Sequence, residues 1–312
     1  MQYMRDYESF DYEGPTAVTL GKFDGLHRGH QKLVEKISTY AREENVKSVV
    51  FSFDMRDFLL QKGVEVKAVM TADEQKKHLE NHVDYLISYP FSEKICHMQA
   101  EAFIEDILVK KLHARYIAVG TDFHFGFGKR GDVHMLEAYA KDYGYEVEIL
   151  EKERYNDRII SSTYVREALE KGNVKLAEKL LGYKYAVSGI VEHGNKIGRT
   201  LGFPTMNIAP EQFKLMPRFG VYACEVWLEG KLYHGIGNVG IKPTIENNRR
   251  LLVEVFVFDF HRDTYEKNIE VRFCEFERPE TKFGSLKELK KQVDEDIAYG
   301  RNYFANSLAM EG

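Results

Sequence analysis

The sequence predicts an α/β domain, a parallel sheet with helices on both faces, followed by a small antiparallel β-barrel domain that ends in a helix. Three observations predict this. Short apolar runs alternate with helical patterns through the N-terminal half. Two helical segments, "SSTYVREALEKG" and "NVKLAEKLLG", then follow, each stopping at a glycine. Beyond Gly182 the apolar runs are divided by glycine-containing turns, with no crossover helices between them. Alternating strands and helices build a parallel sheet, whereas strands joined by turns build an antiparallel sheet or closed barrel. The boundary is placed just after Gly182, giving domains 1–182 and 183–312.

Each element has its own warrant. "PTAVTLGKF" reads as the first strand, and residues 30–44 as a helix with Leu33, Val34, Ile37, Tyr40 and Ala41 on one face. "VKSVVFSF" (46–53) is a second strand. "DYLISYP" (84–90) and "RYIAVG" (115–120) are apolar runs that end in turn residues, and "QAEAFIEDILVKKLH" between them has helical spacing. "YEVEIL" (145–150) closes the series. In the second domain "YAVSGIVEHG", "GVYACEVWLEGKLYHGIGNVG", "LLVEVFVFDF" and "IEVRFCEF" read as strands, with "WLEGKLY" as a hairpin. The last helix opens on a capping-box pair, Ser285 and Glu288, with Leu286, Leu289, Val293 and Ile297 on one face.

Composition narrows the function classes. The 312 residues are 44% hydrophobic and 13% aromatic, enough to fill two cores. Lys and Arg number 44 against 49 Asp and Glu, a formal charge of -5. A protein that grips nucleic acid along its length carries a basic excess instead. Cys96, Cys224 and Cys274 are far apart and form no CxxC pair, so neither a zinc site nor a disulfide framework is signalled. The N-terminus "MQYMRDYESFDYEGP" has no apolar core of a signal peptide, and no run is long enough to span a membrane. The expectation is a cytoplasmic protein with no nucleic-acid or membrane partner.

The chemistry concentrates at "TLGKFDGLHRGHQKLV", residues 19–34. An apolar strand stops at Gly21, a turn carries Phe23, Asp24 and Gly25, and a helix begins around His27, Gly29 and His30. Ligands of parallel sheets bind beyond the carboxyl ends of the strands. A helix N-terminus there offers free N–H groups and a positive dipole end, which attract phosphate. Gly29 permits close approach of a phosphate, and His27 and His30 can point the same way. Imidazoles donating to phosphate oxygens suit a reaction whose transition state gathers charge on those oxygens. Two histidines plus Asp24 could also ligate a metal, although helical zinc sites favour i, i+4 spacing. Ser162, Thr163 and Arg166 in "ISSTYVREAL" are donors at a second helix start, where an ordinary N-cap would look the same. Glu254 interrupts an otherwise apolar strand, which is costly unless the carboxylate is paired or used.

Taken together, these strings resemble the bifunctional bacterial riboflavin kinase/FAD synthetase family over nearly the whole chain. "TLGKFDGLHRGH", "ISSTYVREAL" and "VGTDFHFGFGKRGD" (119–132) match its Rossmann-like HxGH nucleotidyltransferase half. "GRTLGFPTMNI", "GVYA", "NVGIKPT" and "RPETKF" resemble its kinase half in the same order. The resemblance implies phosphorylation of riboflavin to FMN by the barrel, then adenylylation of FMN to FAD by the α/β domain, with ATP and Mg²⁺. It assigns His27 and His30 to phosphate and charge stabilisation, with Gly21, Phe23, Asp24 and Gly29 around them. It assigns Ser162, Thr163 and Arg166 to the leaving pyrophosphate. Thr205 and Asn207 are the implied Mg²⁺ ligands, Gly194, Gly198 and Gly202 the nucleotide loop, and Glu254 the general base. Asp122, Phe123, Phe125 and Arg278 are implied flavin contacts. Small-molecule substrates and a monomer or weak homo-oligomer complete the expectation.

The chain departs from the family pattern at four places: Met55 and Arg56 in "FDMRDF", His124, and Glu266 in "DTYE", where a glycine is usual. Two other readings therefore stay open. One is a chain with a single active domain, the kinase by preference. The other is a non-catalytic flavin- or nucleotide-binding sensor.

Overall fold

The computed structural model describes residues 1–194, 198, 201–243 and 249–311. Parts of two motifs, residues 195–197 and 199–200 of the glycine loop and Thr244 of "NVGIKPT", lie outside the described residues. The chain forms two compact units, Met1–Ser162 and Thr163–Gly312.

The first unit is built on strands β1 (Gln2–Met4), β2 (Thr16–Gly21), β3 (Lys47–Asp54), β4 (Tyr85–Pro90), β5 (Ala114–Gly120) and β6 (Glu146–Leu150). They form one sheet in the order β1-β4-β3-β2-β5-β6, and every pairing is parallel. The chain leaves β2 for β3 on one side and later returns to β5 on the other. The carboxyl ends of β2 and β5 thus flank the topological switch point, where such sheets bind ligands. Helices α1 (Arg28–Glu43), α2 (Arg56–Gln61), α3 (Ala72–Leu79), α4 (Glu93–Cys96), α5 (Ala100–Ala102) and α6 (Val133–Tyr143) connect the strands. Helix α1 buries Leu33, Val34, Ile37 and Ala41, most of the predicted face; Tyr40 instead lies half-buried, stacked on Tyr116. The segment after α5 winds as a π-helix, Phe103–Lys111, and buries Phe103, Ile104, Ile107 and Leu108. Strand β1 has no sequence signature because three residues on a sheet edge show no usable alternation. A short hairpin, β7 (Arg154–Tyr155) and β8 (Arg158–Ile159), follows the sheet.

The second unit opens with helices α7 (Ser162–Glu170) and α8 (Val174–Leu181), each followed by a glycine with positive φ, Gly172 and Gly182. These helices pack with the barrel. The Arg218 N–H donates to the Leu169 carbonyl at 2.9 Å, and Lys175 pairs with Glu275. The barrel closes in the order β10-β13-β12-β11-β14-β9 and is antiparallel throughout. Its strands are β9 (Ala186–Glu192), β10 (Met206–Ile208), β11 (Gly220–Leu228), β12 (Lys231–Pro243), β13 (Arg249–Val257) and β14 (Asn268–Arg278). Tyr222, Cys224, Val226, Val253, Val255 and Phe273 fill the interior and are fully buried. Alternate residues Val221, Ala223, Ile236 and Phe258 turn outward against Phe304 of helix α9 (Leu286–Glu311).

The hairpin in "WLEGKLY" is present, with Leu228 opposite Lys231 and positive φ at Glu229 and Gly230. Positive φ at both central positions is what a two-residue hairpin turn demands. At the start of α9 the Glu288 N–H donates to Ser285 Oγ at 3.2 Å, while the Glu288 carboxylate accepts from the Gly284 N–H at 3.0 Å, one residue earlier than a capping box requires. Leu286 does not join the apolar face; it is 60% exposed, because the helix meets the barrel only further along.

Candidate active sites

At the switch point the chain turns tightly between β2 and α1. Phe23, Gly25 and Leu26 all adopt positive φ. His27 is the N-cap of α1, and its Nδ1 accepts the His30 N–H at 3.4 Å. That bond fixes the tautomer: the neutral ring carries its proton on Nε2 and presents it as a donor. The His27 and His30 rings stack with centroids 3.7 Å apart and planes within 14°. Phe23, fully buried, also packs on His30, with ring centroids 5.1 Å apart. Among the described residues His30 Nδ1 is buried with no hydrogen-bond partner.

Burial holds both rings neutral. It lowers His27 to about 4, against the opposing pull of Asp122 and Glu153. His30 is pushed well below its ordinary value by burial and then by His27. Two carboxylates organise the surrounding cations. Glu153, only 9% exposed, pairs with Arg28 and with Lys32 at 3.1 Å, and Asp122 pairs with Lys152 at 2.5 Å.

Asp24 and Ser162 belong to the same turn. Asp24 does not face phosphate with its whole carboxylate. Its Oδ1 accepts the Val69 N–H at 2.8 Å and the Met70 N–H at 3.3 Å, so it ties the turn to the segment before α3. The Asp24 carbonyl accepts Ser162 Oγ at 2.8 Å, which brings Ser162 to the same turn. Thr163 and Arg166 follow on α7, three residues apart and so on one face. Gly21 ends β2 and Gly29 lies in the first turn of α1.

In the loop after β5, Phe123 and Phe125 stack at 5.6 Å, and Phe125 pairs with Gly131 in a β-bridge. A Cβ on Gly131 would collide with the Phe125 ring, so the glycine is required for that closure. His124 bonds back to the Asp122 carbonyl at 2.9 Å and is exposed. At the end of β3 the Arg56 guanidinium closes a two-pronged bond onto Asp54, at 2.8 and 2.6 Å. Burial raises the Asp54 carboxyl, but its bonds with Arg56 outweigh that and hold it below the usual carboxylate value. Neither the Asp54–Arg56 pair nor the Glu153 hub was foreseen, because ion pairs between separate elements leave no periodic signal.

The barrel carries the second constellation on its outer face. Asn207 of β10 and Asn238 of β12 both lie directly opposite Glu254 of β13, and Glu192 of β9 lies opposite Asn207. Glu254 is therefore not in the barrel interior; it shares the outer face with Ile236 and Phe256 of the α9 contact. That explains how a carboxylate is tolerated between Val253 and Val255, which are fully buried on the inner face. Asn207 is 6% exposed, and among the described residues its Oδ1 has no hydrogen-bond partner. A Cβ on Gly194 would press on the Asn207 amide, so the glycine lets the loop close over it. Thr205, two residues before Asn207, accepts the Asn207 amide on its carbonyl at 3.4 Å. Gly198 accepts the Phe203 N–H on its carbonyl at 2.8 Å, and Gly202 takes a positive φ of 92°. Arg278 is committed to the protein: Nε and Nη2 grip Asp296 of α9 at 2.8 and 2.5 Å, and Nη1 reaches Pro279 and Thr281.

Outside these sites, Glu93, Cys96 and His97 bring donor atoms within 4.8 Å of one another on a surface turn. The Glu93 carboxylate is already paired with Lys62 at 2.8 Å.

The FAD synthetase family model matches residues 10–164, and the riboflavin kinase model residues 181–304. A bifunctional riboflavin kinase/FMN adenylyltransferase of Haemophilus influenzae is 38% identical over 291 residues, covering 92% of this chain and 94% of that one. Proteins of the same description from Escherichia coli K12 and Listeria monocytogenes are 38% and 33% identical, each covering 92% of both chains. A crystal structure from Streptococcus pneumoniae, described as a macrolide-efflux protein, superposes with a TM-score of 0.87 at 30% identity over 96% of this chain and 98% of its own. Among the described residues no helix is long and apolar enough to cross a membrane. By sequence identity over nearly its whole length, the chain belongs to the family of bifunctional riboflavin kinase/FMN adenylyltransferases.

Proposed function

We propose that the chain makes FMN and then FAD, with the reactions divided at Gly182: the barrel phosphorylates riboflavin and the α/β domain adenylylates FMN. The observation that carries the reading is that each half holds its own phosphate-type site. One is the stacked, neutral histidine pair at a helix N-terminus. The other is Glu254 flanked in register by two asparagines.

In the kinase reaction Glu254 accepts the proton of the ribityl 5′-hydroxyl as its oxygen attacks the γ-phosphorus of ATP and ADP leaves. The donors near Asn207 fit Mg²⁺. Its orphaned Oδ1 and the neighbouring Thr205 are hard oxygen ligands. Bound there, Mg²⁺ would neutralise phosphate charge. Gly194, Gly198 and Gly202 let the backbone approach the nucleotide.

In the adenylyl transfer a phosphate oxygen of FMN attacks the α-phosphorus of a second ATP, and pyrophosphate leaves. His27 donates through Nε2–H to the phosphate oxygens, and Gly29 keeps the helix start open to them. Ser162, Thr163 and Arg166 hold the leaving pyrophosphate. Phe123, half-buried and backed by the buried Phe125, supplies an aromatic surface for the flavin, with Asp122 beside it. Phe23, Asp24 and Gly21 shape the turn.

The test is a time course of purified protein with riboflavin, ATP and Mg²⁺, the flavins being separated by chromatography. FMN rising first and FAD following supports both reactions. FMN alone, even when FMN is the supplied substrate, leaves the α/β domain inactive. Riboflavin bound but unchanged overturns catalysis in favour of a sensor. Glu254→Gln should cut the kinase kcat about 10²-fold or more.

A further inference from the structure

Helix α9 and the segment after β14 form a chain of contacts that ends beside Glu254. Asp296 of α9 is 3% exposed at its side chain and holds Arg278 through two bonds. Arg278 in turn bonds the Pro279 carbonyl at 3.1 Å and Thr281 Oγ1 at 3.4 Å, which fixes the path of residues 279–281. That path lays the Glu280 carboxylate over Gly240, where any Cβ would collide with it. Glu280 Oε1 then accepts the Asn238 Nδ2–H at 3.2 Å. The bond decides which way the Asn238 amide is turned: the donor faces Glu280, and Oδ1 faces away as an acceptor.

Asn238 lies directly opposite Glu254 on the same face. Opposed side chains start with Cβ atoms about 5 Å apart. An amide on a strand residue paired directly with a general base can accept a hydrogen bond from a hydroxyl of the same polyol whose terminal hydroxyl the base deprotonates. We infer that Asn238, with its amide oriented by Glu280, is a substrate-positioning residue that hydrogen-bonds the ribityl chain of riboflavin. The inference rests on the proposed kinase reading of this site. It assigns Glu280 and the Arg278–Asp296 pair to supporting roles.

The test compares two flavins, riboflavin and lumiflavin, which has the same ring system and no polyol. Asn238→Ala should raise the KM for riboflavin about tenfold, the effect of one well-made hydrogen bond. The inhibition constant of lumiflavin should not move. Glu280→Ala should reproduce the KM effect in part, and Glu280→Gln, which keeps an acceptor, should restore it. A preserved unfolding transition of the barrel, followed by circular dichroism on heating, reports whether each variant is folded. Equal weakening of both flavins, or no change in either, overturns the inference. If Asn238→Ala does not fold, the Glu280→Ala and Glu280→Gln pair decides by the same comparison. Glu254→Gln fails differently, through kcat with riboflavin KM preserved. Loss of the base reading and loss of this inference are therefore told apart.

Discussion

His27 caps the helix that carries His30, and the two imidazoles stack 3.7 Å apart. Rings this close cannot both bear charge cheaply, and burial opposes charge on either. The folded pKa values lie below the unfolded value of 6.5, so the unfolded chain binds more protons in the window beneath it. The pair's contribution to stability is therefore complete above about pH 6.5 and declines as pH falls toward the His27 value of about 4. Urea unfolding at stepped pH checks this. The adenylylation rate should show no acid limb near pH 6.5 owed to these residues. A limb there that His27→Asn removes would contradict the neutral pair.

His27→Asn also separates structure from chemistry. Asparagine is a strong N-cap, so α1 should keep its start. Loss of the Nε2–H donor should lower FAD formation from supplied FMN about 10²-fold or more while FMN formation continues. Unchanged FAD output would remove His27 from the site.

Asp24 is predicted to act through the fold. Asp24→Ala leaves the Val69 and Met70 N–H groups without their acceptor and should cost about 1–3 kcal/mol. Asp24→Asn, which keeps an acceptor oxygen, should recover much of that. Denaturant midpoints of the two variants provide the comparison.

Glu266 occupies left-handed backbone at φ 65°, with its side chain exposed. An L-residue is strained there and glycine is not, although glycine loses more entropy on folding. Glu266→Gly should therefore stabilise the barrel by about 0.5 kcal/mol, read as a small rise in Tm. A fall would mean that the glutamate side chain has a use that outweighs the strain.

The Arg278–Asp296 pair joins β14 to α9 with little solvent around it. Removing one partner strands a buried charge, so Asp296→Ala should cost about 3–5 kcal/mol. A loss below about 1 kcal/mol, the range of exposed pairs, would show that solvent reaches the site.

Much of the architecture was legible because it repeats. The strands of the sheet from β2 to β6 are apolar runs, α1 shows its buried stripe, and α8 ends at Gly182. The three-residue β1 and the π-winding of Phe103–Lys111 were not legible, since neither alters a hydrophobic period enough to be read. The motif residues His27, His30, Asn207 and Glu254 were legible as chemistry. Asp24 and Arg278 were legible only as members of motifs, and their bonds tie them to neighbouring backbone and to α9.

By itself the sequence determined the order of elements, the two-part organisation and the residue types at each site. Those depend on local pattern and on side-chain chemistry, both of which act over a few positions. Tertiary structure alone decided that Glu254 faces outward between Asn207 and Asn238, that His27 and His30 are stacked and neutral, and that Asp296 of α9 holds Arg278 at the end of β14. Each of these depends on strand register or burial between segments far apart in the chain, and a one-residue slip in register would turn every side chain of a strand to the opposite face.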